Sequence, residues 1–457
     1  MEQLGGERIG DRTSLQKVIA ASLIGSVIEW YDFFIYGTAA ALIFGQLFFP
    51  GSDPLIGTLY SFGTYAVGFI ARPIGGVFCG HYGDKIGRKS MLVMTLIVMG
   101  VATTLVGLLP TYESIGIWAP ILLVVLRFLQ GFAVGGEWGG ATLMAVEYAP
   151  PGRRGFFGSW PGMGIPAGLV VATAVFTASS SLPPEQFLSW GWRVPFLVSI
   201  VLVAVGLFVR LKILETPAFQ QMQESGGSSE LPVVDVFRYY WRSLLLTMGA
   251  FFLLNGGFYV TVTFMLAYGT QNIGVDSGTM LTGVLIAGTV QIFAIGAFAA
   301  LSDRVGRRPV YLGGAVFLLL FSFPLFWMVN TGVAPLIWLA MSIAIVALGA
   351  MYGPSGAFFS ELFSTRVRYS GASLGYQLAS AVAGGFAPVI AVALLSAYGY
   401  PAVALYMIVM ALITITAVYL ATETYQRDIS GYGADEEPVT GARPCADKRI
   451  RHKGTLT

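Results

Sequence analysis

Apolar residues in this chain gather into long unbroken runs; they do not alternate with polar ones as in a half-buried strand or a surface helix. Runs of about twenty residues or more, enough to cross ~30 Å of hydrocarbon as helix, fall near 17–48, 55–79, 90–110, 117–146, 155–179 and 194–212. A second series falls near 242–270, 278–300, 309–329, 335–360, 371–396 and 402–421. Between them lies a polar stretch, Glu215 to Tyr240, with Gly226, Gly227, Ser228, Ser229 and Pro232. That is the composition of a linker. The pattern predicts an all-α membrane protein of twelve transmembrane helices in two six-helix bundles. Its expected segments are an N-terminal tail (1–16), a first bundle (17–212), a linker (213–241), a second bundle (242–421) and a C-terminal tail (422–457).

Composition sharpens this. Of the 457 residues, 55% are hydrophobic and 11% charged, and the mean hydropathy is +0.73. Soluble domains carry about 25% charged residues, whereas an ionised group at mid-bilayer costs several kcal/mol. The partner that this composition demands is the lipid bilayer. Cys79 ends an apolar run and Cys445 lies in a polar tail, so no disulfide framework is expected. His81 and His452 have no metal-ligand spacing, and neither a metal nor a cofactor is expected. The first sixteen residues are polar, and no cleavable signal peptide is expected ahead of the first span.

The basic residues set the orientation. With the N-terminus inside, 23 of the 26 Lys and Arg fall in segments that would face the cytoplasm. Only Arg193 falls outside, and Arg72 and Arg127 lie within spans. Both termini are therefore expected to be cytoplasmic. The tail, Thr422–Thr457, lacks apolar heptads and contains Gly431, Gly433, Pro438 and Pro444, so it reads as disordered.

The halves repeat. Asp84, Gly87, Arg88 and Lys89 follow the second span, and Asp303, Gly306, Arg307 and Arg308 follow the eighth. Glu147 with Arg153 and Arg154 is echoed by Glu361 with Arg366 and Arg368. Parallel repeats about an axis along the membrane normal suit a two-half carrier.

These residues resemble the major facilitator superfamily, whose signature loops match Asp84–Lys89 and Asp303–Arg308. The chain is more specifically similar to the metabolite:proton symporters, which include shikimate, α-ketoglutarate, citrate and proline/betaine carriers. That likeness rests on Ile28-Glu29-Trp30-Tyr31-Asp32-Phe33, Phe48-Phe49-Pro50, Ala71-Arg72-Pro73-Ile74-Gly75-Gly76, Arg127-Phe128-Leu129-Gln130-Gly131, Gly135-Gly136-Glu137-Trp138-Gly139-Gly140 and Ser189–Phe196. Glu185–Arg193 looks most like the shikimate-type branch. The tail departs from the osmosensing proline/betaine carriers, which end in a coiled coil. The resemblance implies gating roles for the two signature loops, while positive charges that merely hold loops inside are the plainer reading.

Ionisable groups inside spans are functional candidates by default. Here they are Glu29, Asp32, Arg72, Arg127 and Glu137, all in the first half. Three acids against two bases leave one carboxyl without a partner, which suits proton coupling by Asp32, Glu29 or Glu137. Related sugar carriers pair an acid on helix 1 with an arginine on helix 4, matched here by Asp32 and Arg127. The expected mechanism is that protonation of Asp32 frees Arg127 to bind a substrate carboxylate through its planar fork. The alternative is a permanent ion pair pinning helices 1 and 4. Arg72, about 12 Å along the helix from Gly80, reads as a structural charge that snorkels or pairs with Glu137. Tyr31, Gln130, Asn255, Gln291, Tyr376 and Gln377 are candidate substrate-binding residues, against interhelical hydrogen bonding as the alternative. Gly158, Gly162, Gly164 and Gly168 give the small-residue spacing of close helix packing.

The function expected is proton-coupled import of a small organic acid by a monomeric secondary transporter of the plasma (inner) membrane, its partners being that substrate, protons and lipid, with no nucleic acid. The same fold carrying a zwitterion, a sugar or an exported drug is the first alternative. A metabolite sensor is weaker because no long soluble domain is present. An enzyme is weakest, since no nucleophile–base set or cofactor loop accompanies the spans.

Overall fold

The structure is a computed structural model that describes residues 3–51, 53–86, 88–135, 145–146, 149–150, 152–212, 232–363 and 368–425. Every regular element among them is helical. The long helices are α1 (Gln3–Leu42), α2 (Pro54–Ile86), α3 (Arg88–Leu108), α4 (Trp118–Val134), α5 (Arg154–Ser180) and α6 (Val194–Lys212), followed by α7 (Trp241–Ile273), α8 (Ser277–Val305), α9 (Arg307–Asn330), α10 (Ala334–Glu361), α11 (Gly371–Tyr398) and α12 (Tyr400–Leu420). Helix lies over most of the described part of each apolar run that hydropathy marks. Among the described residues, nine helices are long and apolar enough to cross a membrane, and the apolar parts of α3 and α4 are shorter.

Two boundaries differ from expectation. α1 starts at Gln3, because the polar residues ahead of the first apolar run continue the helix instead of ending it. The linker includes a helix, Pro232–Tyr239, that buries Val236 and leaves Phe237 and Tyr239 exposed. The remainder of the linker, 213–231, and the tail beyond 425 lie outside the described residues.

The packing pattern repeats as the sequence does. In the first six helices α1 packs on α5, α2 on α4 and α3 on α6. In the second six α7 packs on α11, α8 on α10 and α9 on α12. The seam between the two sets is made mainly by α5 against α8 and α2 against α11.

Glycine makes the crossings close. A methyl group at Gly131 of α4 would collide with the carbonyl of Gly68 on α2, and one at Gly135 with the carbonyl of Arg72. These two backbones touch, as small residues allow where lipid gives no hydrophobic drive for association. On α5, Gly164 meets Ser26 and Gly168 meets Trp30 of α1. Regular α geometry is interrupted by π turns at Val260–Phe264 and Tyr268–Ile273 in α7 and at Ser380–Gly385 in α11. Such turns put a local kink into a long helix.

The α2–α4 crossing yields a test. Gly131→Ala forces the helices apart and is expected to destabilise by about 1–3 kcal/mol, read as a lower melting midpoint in detergent. Gly63→Ala, whose new methyl meets open space, should leave that midpoint unchanged or raise it.

Candidate functional site

Two arginines lie at the centre of the first six helices, both essentially without solvent exposure: Arg127 at 0% and Arg72 at 1%. Aromatic rings hold each by its face. The Arg127 guanidinium carbon is 4.1 Å from the Phe33 ring centre, 4.3 Å from Tyr36 and 4.5 Å from Tyr65. Arg72 is 4.3 Å from Phe33, 4.6 Å from Phe69 and 5.2 Å from Trp30. Sharing the Phe33 ring keeps the two guanidinium carbons within about 8.4 Å of each other. Asp32 forms no ion pair with either. In both side chains Nε and Nη2 have no hydrogen-bond partner. Those two atoms form the side-on donor pair that matches a carboxylate.

Arg72 therefore does not snorkel. Its side chain is buried, and three rings take the place of solvent. The structure places Arg72 in the central cluster, sharing the Phe33 ring with Arg127. Its proposed partner Glu137 lies outside the described residues.

Asp32, on α1, is 1% exposed. Its Oδ1 accepts a 2.5 Å hydrogen bond from Ser199 of α6, and Oδ2 has no partner. Thr103 of α3 stands beside the carboxyl, but it donates its hydroxyl hydrogen to the Met99 carbonyl at 2.9 Å. Thr103 Oγ1 in turn accepts from Gln130 Nε2 at 2.8 Å, and Gln130 Oε1 accepts from Arg127 Nη1 at 3.1 Å. A hydrogen-bonded chain thus runs from Arg127 through Gln130 to Thr103, which stands beside Asp32. The direct pair expected from sequence is not formed.

Other candidates separate by what they touch. Tyr31 donates to the Pro195 carbonyl at 2.7 Å and fastens α1 to α6. Gln377 of α11 donates across the seam to the Gly135 carbonyl at 3.1 Å, while its Oε1 has no partner. Gln291 Oε1 and Asn255 Nδ2 are likewise buried without partners. Tyr376 packs its ring on Phe251 and lies within electrostatic reach of Arg72 and Glu29. Glu29 itself is 6% exposed. Sequence reasoning missed Thr103, Ser199, Phe33 and Tyr65. The lone hydroxyl of Ser199 in the apolar α6 was the available signal.

Both ends of the seam are bridged. At one end Gln271 of α7 donates to Thr58 of α2 at 2.9 Å and to the Ala41 carbonyl of α1 at 3.3 Å. At the other, Asp303 accepts from the backbone N–H groups of Gly155 and Phe156 at 2.8 Å each. These belong to the first turn of α5, where the helix dipole favours a carboxylate. Arg307 pairs with Asp303 at 2.7 Å and with Glu361 at 3.7 Å, and donates to Ser302 at 2.8 Å. Gly306, at φ +104°, makes the turn that only glycine adopts readily. Glu423, just past α12, accepts from the N–H groups of Arg307 and Arg308 at the start of α9. Thr424 donates to Glu361 at 2.5 Å, and Arg308 Nη2 donates to the Tyr419 carbonyl at 2.6 Å. In the first-half loop, Gly87 and the side chains of Asp84, Arg88 and Lys89 lie outside the described residues.

The chain belongs to the major facilitator superfamily, whose family model matches residues 22–384. It is 40% identical to the shikimate transporter of Escherichia coli over 422 residues, covering 90% of this chain and 95% of that protein. It is 40% identical to the inner membrane metabolite transport protein YhjE of Escherichia coli over 424 residues, with 91% and 96% covered. A proline/betaine transporter of Escherichia coli is 36% identical over 449 residues, with 95% and 87% covered. Among solved structures, the Escherichia coli xylose transporter XylE in a partially occluded inward-open conformation superposes with a TM-score of 0.70 at 16% identity, over 90% of this chain and 98% of its own. A D-xylose–proton symporter gives 0.68 at 18% identity, over 87% and 96%. At such identities the likeness is one of fold. The chain is a multi-pass membrane transporter and not an enzyme.

The Asp303 bridge can be tested directly. Asp303→Ala removes both bonds to α5 and is expected to raise maleimide labelling of a cysteine placed at the buried Ala299 several-fold, in protein whose Cys79 and Cys445 are replaced by serine. Unchanged labelling would mean that Asp303 does not hold this end shut.

Proposed function

We propose that the chain is a secondary active transporter importing a small organic acid with protons by alternating access. The observation that carries this reading is the buried cluster itself. Two guanidinium groups, each with a carboxylate-shaped pair of donors unpartnered, lie beside a buried aspartic acid that has one hydrogen bond. Burying guanidinium donors without hydrogen-bond partners is unfavourable by several kcal/mol. A carboxylate delivered as substrate relieves it.

Asp32 is the proton carrier in this reading. With a proton on Oδ2, the carboxyl donates to the remaining lone pair of Thr103 Oγ1 and stands neutral beside two cations. Without it, the carboxylate competes with the substrate for the local positive charge. Proton and anion therefore favour the same loaded state, which is the thermodynamic content of symport. The printed functions of the relatives, shikimate and proline/betaine transport, support a carboxylate-bearing substrate. The reading includes twelve crossings in two six-helix bundles, with both termini cytoplasmic in the inner membrane and the monomer as the working unit. The short bridges at either end of the seam act as its two gates, the Asp303 bridge being the cytoplasmic one.

The deciding experiment uses proteoliposomes and a panel of shikimate, 2-oxoglutarate, citrate, benzoate, proline and xylose. An inward proton gradient should drive accumulation of at least one acid. Asp32→Asn should abolish that accumulation and flatten its pH dependence, while counterflow exchange of the same acid persists. Accumulation by Asp32→Asn at the wild-type level sinks the coupling role, and no proton-driven uptake of any acid sinks symport.

A further inference from the structure

The two central arginines occupy different surroundings. The ring and hydrogen-bond contacts of Arg127 all come from α1, α2 and α4, and a methyl group at Gly68 would lie 2.6 Å from its Nε. Its Nε edge is thus laid against the α2 backbone. Its Nη1 is tied through Gln130 and Thr103 to the neighbourhood of Asp32. The direct contacts of Arg127 thus lie on the proton side of the site, and of the second six helices Tyr259 of α7 comes within its electrostatic reach.

Arg72 stands at the seam. Its own carbonyl faces Gly135, and the Gly135 carbonyl accepts the hydrogen bond from Gln377 of α11. Phe69, one turn away, fills the notch at Gly384 and Gly385 in the π turn of α11, where an added methyl on Gly385 would come within 2.6 Å of its Cβ. Phe69 also meets the Tyr259 ring of α7 at 5.1 Å. Tyr376 and Tyr259, both from the second six helices, lie within electrostatic reach of Arg72; Tyr376 is also within reach of Glu29, and Tyr259 of Arg127. The α2–α11 seam therefore runs beside Arg72. Phe33, Phe69 and Trp30 hold its face and leave the in-plane Nε and Nη2 donors unpartnered.

We propose a division of labour: Arg72 grips the substrate carboxylate, side-on and bidentate, and Arg127 is a positioning residue that reports the protonation of Asp32 through Gln130 and Thr103. This rests on the organic-acid reading above and departs from the role that the sequence suggested for Arg127. The substrate carboxylate accepts from Nε and Nη2 of Arg72, and the hydroxyls of Tyr259 and Tyr376 on the facing helices border it. When Asp32 loses its proton, Thr103 turns its hydroxyl from Met99 to the carboxylate. Gln130 and Arg127 then re-seat, moving the Phe33 ring that both guanidinium groups share. Proton loss thereby disturbs the grip of Arg72 without any contact between Asp32 and the substrate.

The test compares Arg72→Gln, Arg72→Lys and Arg127→Gln, each purified, checked for a cooperative melt and reconstituted. The probe is whichever panel acid the wild type accumulates, set against its uncharged carboxamide. Arg72→Gln should raise the KM for exchange about 30-fold or more, as loss of a bidentate charge-assisted pair implies, and should cease to discriminate acid from carboxamide. Arg72→Lys, which keeps the charge and loses the fork, should recover part of that affinity. Arg127→Gln should keep the acid-over-carboxamide preference but lose the pH dependence of uptake. The proposal falls if Arg127→Gln erases the acid preference while Arg72→Gln retains it. It also falls if both variants lose pH dependence and affinity together. Should the wild type accumulate no acid at all, the underlying organic-acid reading fails instead, independently of either variant. If Arg72→Gln does not melt cooperatively, the Arg72→Lys comparison decides alone: an unchanged KM overturns the grip.

Discussion

Two guanidinium groups must be kept charged, close together and away from water, and the first six helices are arranged around that constraint. Cation–π contacts recover roughly 2 kcal/mol or more each when desolvated, so the rings around Arg72 and Arg127 offset part of the burial cost. They leave the N–H donors unmet. The two side chains approach because α2 and α4 cross through glycine. Arg127 of α4 lies on Gly68 of α2, and Gly135 of α4 lies on the backbone of Arg72. Each glycine admits what a side chain would exclude, and the aromatic shell, the relay to Asp32 and the seam with α11 all take their positions from that crossing.

The ends of the seam are held by few bonds of moderate strength. Hydrogen bonds to charged groups contribute about 1.5–3 kcal/mol each and neutral ones about 1 kcal/mol. A bridge made of Gln271 at one end and Asp303 at the other can therefore be tipped by a ligand whose affinity differs between states by a few kcal/mol. The Asp303 end is the more elaborate, because Arg307 ties Asp303 to Glu361 and the chain beyond α12 folds back over both. Glu423 satisfies the first N–H groups of α9, and Thr424 occupies the second oxygen of Glu361. Rotation of α5 away from Asp303 leaves this arrangement on α8, α9, α10 and α12 intact, so the second six helices keep a rigid face at that end.

The long described helices lie on the apolar runs that hydropathy marks, and the duplicated Asp–Gly–Arg loops anticipated the recurrence of the same packing pairs in both sets. The site was legible only as a set of residue types. Asp32, Arg72 and Arg127 stood out because charge inside a span is rare, and all three converge. Their partners did not stand out, since span ends read from sequence are loose by about four residues, or ~6 Å of helix. That error exceeds the distance that separates an ion pair from a relay. Ser199 is 167 residues from the carboxyl that it binds, and nothing in the apolar run around it marks the direction of its side chain. Glu423 looked like the start of a featureless tail because the N–H groups that it accepts from belong to a helix more than a hundred residues earlier.

The two sets of helices differ in charge as well as in place. All the described membrane-embedded charge of the central cluster is in the first set, whereas the second presents Asn255, Gln291, Tyr376 and Gln377. On the proposed reading, a substrate anion is then anchored on one side only. Neutral hydrogen bonds inside a membrane protein are worth about 0.6 kcal/mol each, far less than a bidentate pair with arginine. The second set can therefore move against the anion without extracting it. The irregular turns lie on that same side, in α7 at Val260–Phe264 and in α11 at Ser380–Gly385, next to Tyr259 and to the glycines that receive Phe69. Deformable backbone thus faces the fixed charge across the seam, which lets the seam open without moving the cations out of their ring of aromatic side chains.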